Sequence, residues 1–130
     1  MNKKEHLQYW VRNSKRDWKR AGLHFKNNDY VFSLYCVHLC LEKICKAIWV
    51  EKHKENHPPR IHNLVYLLEE SDIAISDEHK DFLLVLNDFQ LEGRYPDYKE
   101  KIYRYCKRKI ASKYIAQSII VKRWLHSILL

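Results

Sequence analysis

Residues 30–50 read YVFSLYCVHLCLEKICKAIWV. Val31, Phe32, Leu34, Tyr35, Val37, Leu39, Leu41, Ile44, Ile48 and Trp49 are spread over every side of a 3.6-residue period. A helix that is apolar all round is buried all round. The stretch therefore predicts a helix over about residues 30–54 at the centre of the fold, or one that also forms an oligomer interface. No segment of the chain alternates convincingly with the period of a strand. The 130 residues include only two glycines and three prolines. So few turn residues imply a small number of long elements, which are helices.

Outward from this stretch, Leu7, Trp10, Val11, Ser14, Trp18, Ala21 and Phe25 recur at spacings of 3 and 4. They predict a helix over residues 4–25 with one apolar face. Asn27-Asn28-Asp29 reads as a turn in which Asn28 or Asp29 caps the next helix. Beyond His57-Pro58-Pro59, a short helix is expected over residues 61–70. Ser76 followed by Asp77 and Glu78 caps a further helix, whose buried face is Phe82, Leu83, Val85, Leu86 and Phe89. Gly93-Arg94-Tyr95-Pro96-Asp97 then punctuates the chain. Gly93 can close a helix in the left-handed conformation, and Pro96 pushes Tyr95 out of helical geometry. Asp97 with Glu100 resembles a capping box. Residues 98–129 are predicted as helix, in one piece or with a break near Cys106. The expected fold is all-α: one domain over residues 1–130, an antiparallel up-and-down helical bundle of four long helices and one short one.

Composition narrows the class. Apolar residues make up 46% of the chain and aromatic ones 13%, too much for disorder. The longest apolar runs fall well short of the roughly 18–20 residues that cross a bilayer. The opening MNKKEHLQYW has no apolar leader core, so a cytoplasmic protein is expected. Cys36, Cys40, Cys45 and Cys106 form no Cys-x-x-Cys. They read as reduced thiols packed as small apolar groups, with a metal shared by Cys36 and Cys40 as the alternative. Net charge is +8, unevenly placed. Residues 1–26 hold 8 Lys/Arg and 2 Asp/Glu, residues 99–130 hold 9 and 1, and residues 27–98 hold 7 and 13. If the two basic ends lie side by side they make a cationic strip, which would attract RNA phosphates or an acidic partner.

No phosphate-binding glycine loop, dinucleotide turn or His-Glu-x-x-His is present. His53 and His57 stand at i, i+4, but the second leaves the helix beside two prolines, and no metal or cofactor is expected. The polar residues with the best claim to function are Glu42, Lys43 and Lys46, inside the most apolar helix. Glu42 and Lys46 suit an i, i+4 ion pair. Charges within a buried helix are costly unless paired or used, so the cluster reads either as an ion pair at a groove edge or as a phosphate or carboxylate contact.

Taken together, the residues resemble the HEPN domain family. Trp10, Asp17 and Ala21 match Trp-x(6)-Asp-x(3)-Ala of its first helix. Tyr30, Tyr35, Glu42, Lys43, Lys46 and Ala47 match its second helix, with Tyr35 where the family has phenylalanine. His62, Leu64 and Leu67 match a histidine followed by Leu-x-x-Leu, and Arg94-Tyr95-Pro96 matches a later Arg-Tyr-Pro. Departures are His38-Leu39 in place of a glutamine pair and Ser14 in place of alanine.

The resemblance implies a HEPN bundle, usually a homodimer, of the kind often encoded beside a minimal nucleotidyltransferase in toxin–antitoxin or defence modules. Ribonuclease members carry Arg-x(4–6)-His, and no arginine here has a histidine at that spacing. The expectation is thus a non-catalytic protein that binds a nucleotide or RNA phosphate, or partners a nucleotidyltransferase. Its contacts would be Lys43, Lys46, His62, Arg94 and Tyr95, with Glu42 and Asp97 as supporting acids. The arginine would grip phosphate and Tyr95 would stack on a base. Two alternatives remain: a divergent metal-independent ribonuclease toxin, in which His62 acts with Arg94, and a bundle that only dimerises and docks a partner.

Overall fold

The computed structural model describes residues 1–92 and 94–130; the expected helix-closing role of Gly93 lies outside them. Among the described residues six helices follow one another: α1 (Lys3–Lys26), α2 (Tyr30–Lys52), α3 (Leu64–Glu69), α4 (Asp77–Asn87), α5 (Pro96–Tyr105) and α6 (Arg108–Ile128). No strand occurs among the described residues. The break near Cys106 is present, so the last helical stretch is two helices. Cys106 and Lys107 adopt non-helical backbone between them, with Cys106 turned into the core.

Local chemistry sets the helix starts. Asn2 and Glu5 form a reciprocal capping box on α1. Asn28 takes the left-handed conformation with φ 63°, closing α1, and Asp29 accepts the Phe32 N–H to open α2. Asn63 and Ser76 cap α3 and α4. The start of α3 falls later than expected because Asn63, not Ile61, begins it. At α5 the capping box is absent: Tyr95 is the N-cap and Pro96 occupies the first helical position, where its missing N–H costs nothing. Asp97 sits one residue further on, near the positive helix end. The end of α2 is held from a distance. Lys3 Nζ donates to the carbonyls of Val50, His53 and Glu55 at 2.7, 2.8 and 3.3 Å.

The central position of α2 follows from its composition. It packs along its length on α1 and also meets α6, α3 and α4. Leu34, Val37, Leu41, Ile44 and Ile48 are fully buried, each worth about 1.5–3 kcal/mol of apolar transfer. Direction is readable from single contacts. Lys3 at the start of α1 reaches the end of α2, so these two helices are antiparallel. His79 and Phe82 near the start of α4 meet Trp124 and Tyr114 of α6, and Phe89 also meets Tyr114. The Leu130 N–H donates to Glu51 at the end of α2, so α6 runs beside α2 in the same direction. The four longer helices therefore run up, down, up, down.

Two sequence-derived faces are corrected in detail. In α1 the buried positions are Ser14, Asp17 and Ala21, whereas Trp18 and Phe25 are only partly covered. Ser14 and Ala21 belong to the expected face; Asp17 is the addition, buried beside it and paired with Lys43 and Arg20. In α4, Val85 is exposed while Phe82, Leu83 and Leu86 are buried. All four cysteines are free and buried. Burial pushes the Cys36 and Cys106 thiols up to about 11 and Cys40 up to about 12, so they remain protonated packing groups. No described helix is long and apolar enough to cross a membrane.

Candidate functional site

The charged residues of α2 divide between two places. Lys43 turns toward α1 and pairs with Asp17, a buried carboxylate that also holds Arg20 at 3.0 Å. Lys46 sits about one turn further along α2, near Trp10 of α1. Its Nζ lies 3.1 Å from Glu42 Oε2 and 5.5 Å from the centre of the Trp10 ring. Helical spacing places Glu42 and Lys46 one turn apart, so the pair forms within α2. Glu42 is only 4% exposed. A buried carboxylate is tolerated when every oxygen has a partner. The second oxygen supplies this by accepting from His62 Nδ1 at 2.9 Å.

His62 lies in the connection before α3, with its side chain 44% exposed. Because Nδ1–H is held by Glu42, Nε2 is left for solvent or a ligand. The carboxylate fixes the ring's orientation. This is the arrangement of a positioned hydrogen-bond donor or a positioned acid–base group.

Behind His62 sits His38, wholly buried on α2. Its Nε2 lies 3.3 Å from Asn87 Oδ1. That Asn87 oxygen also accepts the Leu64 N–H at 3.1 Å, and the Asn87 amide nitrogen donates to Asn63 Oδ1 at 3.1 Å. Asn63 Oδ1 in turn accepts the Tyr66 N–H. The backbone donors fix both amide orientations, so His38 Nε2 must carry the proton. His38 Nδ1 is then a bare acceptor, 3.8 Å from Glu42 Oε1 and without a hydrogen-bond partner. Burial holds this imidazole below the ordinary histidine value; Glu42 and Asn87 oppose that effect, while the ring charge of His62 adds to it and the His62 backbone opposes it.

Arg94 approaches the same network from the far side. Its Nη2 donates to the Asn87 carbonyl at 3.4 Å, and its Nε donates to Gln90 O at 3.1 Å. The guanidinium lies over the Tyr98 ring at 5.1 Å. It thus satisfies the last carbonyl of α4 and one just beyond the helix while remaining exposed. Tyr95, the adjacent N-cap of α5, is 80% exposed.

The fold accordingly brings together Glu42, Lys46 and His62 directly. Asn87 connects them to Arg94: its side chain meets Asn63 and His38, and its carbonyl meets Arg94. Lys43 belongs with Asp17, and Asp97 lies exposed in the first turn of α5. Sequence reasoning missed Asn63, Asn87, His38 and Trp10 as members of this cluster. Asn87 gives no signal of its own, since an asparagine near a helix end is ordinary. His38 was visible as a lone imidazole in an apolar run. Among the described residues no group of three His, Cys, Asp or Glu is arranged to hold a metal ion.

No curated protein and no solved structure matches the chain. The sequence model of the HEPN domain matches residues 7–128, nearly the whole chain.

Proposed function

The chain belongs to the HEPN domain family, and on that premise we propose that it is a non-catalytic binding module for the phosphate of a nucleotide or RNA. One observation carries the reading: a buried carboxylate, Glu42, holds Lys46 and His62, and the Asn63–Asn87 pair links this cluster to an exposed arginine. Cations held rigid beforehand lose little freedom on gripping an anion. His62, when protonated on both nitrogens, donates from Nε2 to a phosphate oxygen, and Arg94 provides a charge-assisted contact. Lys46 adds positive charge from behind, and Tyr95 stacks on a base. Lys43, already committed to Asp17, acts only through longer-range charge. The module works as a homodimer beside a nucleotidyltransferase in a toxin–antitoxin or defence setting.

The test is titration of ATP and of a short single-stranded RNA into wild type, Lys46→Ala and Arg94→Ala, with circular dichroism to verify the fold. Loss of Arg94 weakens binding by about tenfold or more, the value of a charged hydrogen bond. Folded variants that bind both probes like wild type would sink the assignment.

A second reading, metal-independent RNA cleavage, has the Glu42–His62 pair in its favour, because a carboxylate-oriented imidazole is the geometry a general base needs. Cleavage by purified protein in EDTA, abolished in His62→Ala, supports it; an inert wild type removes it.

A further inference from the structure

Away from the Glu42 cluster, α1 and α6 lie against α2 without closing on each other. Between them runs a groove of about 420 Å³. Its walls include Trp18, Gly22 and Phe25 of α1 and Ile115 and Ile119 of α6, whose apolar faces form its floor above the buried Val37 of α2. A volume of this size holds several apolar side chains.

Gly22 gives the groove its width. Glycine is the least favourable residue in a helix interior after proline, so its presence there asks for a reason. None lies within the chain. Gly22 is exposed, its backbone is helical, and a Cβ added to it would meet nothing within 4 Å. The space it leaves opens onto the groove.

The rim is cationic. Lys26 lines the groove itself. Lys122 Nζ stands 4.2 Å from the centre of the Trp18 ring, and the Arg108 guanidinium 5.9 Å from that of Phe25. Among the described residues none of these three cations has a carboxylate partner. α6 contains no Asp or Glu. The two acids of α1 are Glu5, at its distant start, and Asp17, buried with Lys43 and Arg20.

We propose that the groove between α1 and α6 docks an acidic amphipathic helix of a partner protein. An apolar floor selects residues at i, i+3, i+4 and i+7, and an uncompensated basic rim selects Asp and Glu beside them. From Trp18 to Phe25 the wall is about 10 Å long, two turns of a docked helix. Nucleic acid fits less well: phosphates could meet the rim, but they would leave the half-buried aliphatic Ile115 and Ile119 unfilled, and the rings of Trp18 and Phe25 already face the chain's own cations. This site is separate from the Glu42 cluster and does not depend on phosphate binding there.

The test uses two labelled peptides of about 18 residues, long enough to be helical. Both carry the same leucine face; one has Glu and the other Lys elsewhere. Anisotropy is followed on the full chain in wild type, Gly22→Leu and Lys46→Ala. Gly22→Leu fills the groove while removing a helix-weakening glycine, so it folds at least as well as wild type. The expected result is that the Glu peptide binds about tenfold or more tighter than the Lys peptide and weakens with salt. Gly22→Leu abolishes that preference, and Lys46→Ala leaves it intact. No binding of the Glu peptide, equal binding of both peptides, or a Gly22→Leu variant that binds like wild type overturns the proposal. So does displacement of the bound peptide by single-stranded RNA at equal concentration. A self-association of the chain that Gly22→Leu abolishes overturns it too, because the groove then belongs to a second copy.

Discussion

Replacing Glu42 by glutamine tests whether the buried carboxylate organises the site. Glutamine keeps the shape of the side chain and an oxygen for His62 Nδ1, now 2.9 Å from Oε1. It removes the charge that Lys46 meets at 3.1 Å. Lys46 is itself buried, at 7% exposure, so the substitution leaves an ammonium with no counter-charge in a low-dielectric position. Breaking a buried pair from one side costs about 3–5 kcal/mol. The lower end applies, because the Lys46 stem can swing past Trp10 toward water, and the expected loss is ~3 kcal/mol. Removing both charges with Glu42→Gln plus Lys46→Met avoids the orphaned ion, so the double variant should lie within ~1 kcal/mol of wild type. Urea unfolding followed by circular dichroism reads both. With a slope near 2 kcal/mol/M, the single variant's midpoint falls by about 1.5 M and the double variant recovers most of it. A double variant as unstable as the single one would refute the reasoning, since it would mean that Lys46 does not depend on Glu42.

Three further outcomes are expected. His38 has its titration lowered by burial, so the unfolded chain takes up a proton at the ordinary value of 6.5 while the folded chain does not. Stability from this group is complete above that pH and falls as pH drops below it, by up to about 1.4 kcal/mol per unit, and His38→Phe should flatten the slope in unfolding curves between pH 5 and 7, values set by this window. Asn87→Ala leaves the Leu64 N–H and His38 Nε2–H without acceptors, a loss of about 2–3 kcal/mol in denaturant unfolding. The cysteine thiols, buried and held protonated with Cys40 pushed up to about 12, should resist a thiol reagent in the native state and react together on unfolding; rapid native labelling of any of them contradicts the packing described.

Much of the fold was legible because burial leaves a periodic trace. The all-round apolar run from Val31 to Val50 predicted a buried helix, central or also at an oligomer interface, and the Asn28-Asp29 turn and Ser76 announced helix starts through their capping chemistry. Boundaries failed where a cap competed with apolar pattern. Ile61 looked helical, yet Asn63 sets the start of α3, and Pro96 opens α5 before Asp97 can act. The site was half legible. Glu42 and Lys46 stood out as charges in an apolar helix, and their spacing gave the ion pair. Sequence adjacency then misled, because Lys43 looked like part of the same cluster although α1 draws it to Asp17. Asn63 and Asn87 are 24 positions apart, and no local pattern announces that they meet. Such partnerships arise from the packing of α3 and α4 against α2, which one sequence does not display.

The most direct measurement of the central claim is amide chemical-shift mapping of the labelled protein during titration with ATP and with a short single-stranded RNA. The account predicts that the largest shifts cluster on His62, Asn63, Asn87, Arg94 and Tyr95, weaken with added salt, and leave Gly22 and Ala116 unmoved. Shifts that spread instead along the α1–α6 face, or no shifts with either probe, would contradict it.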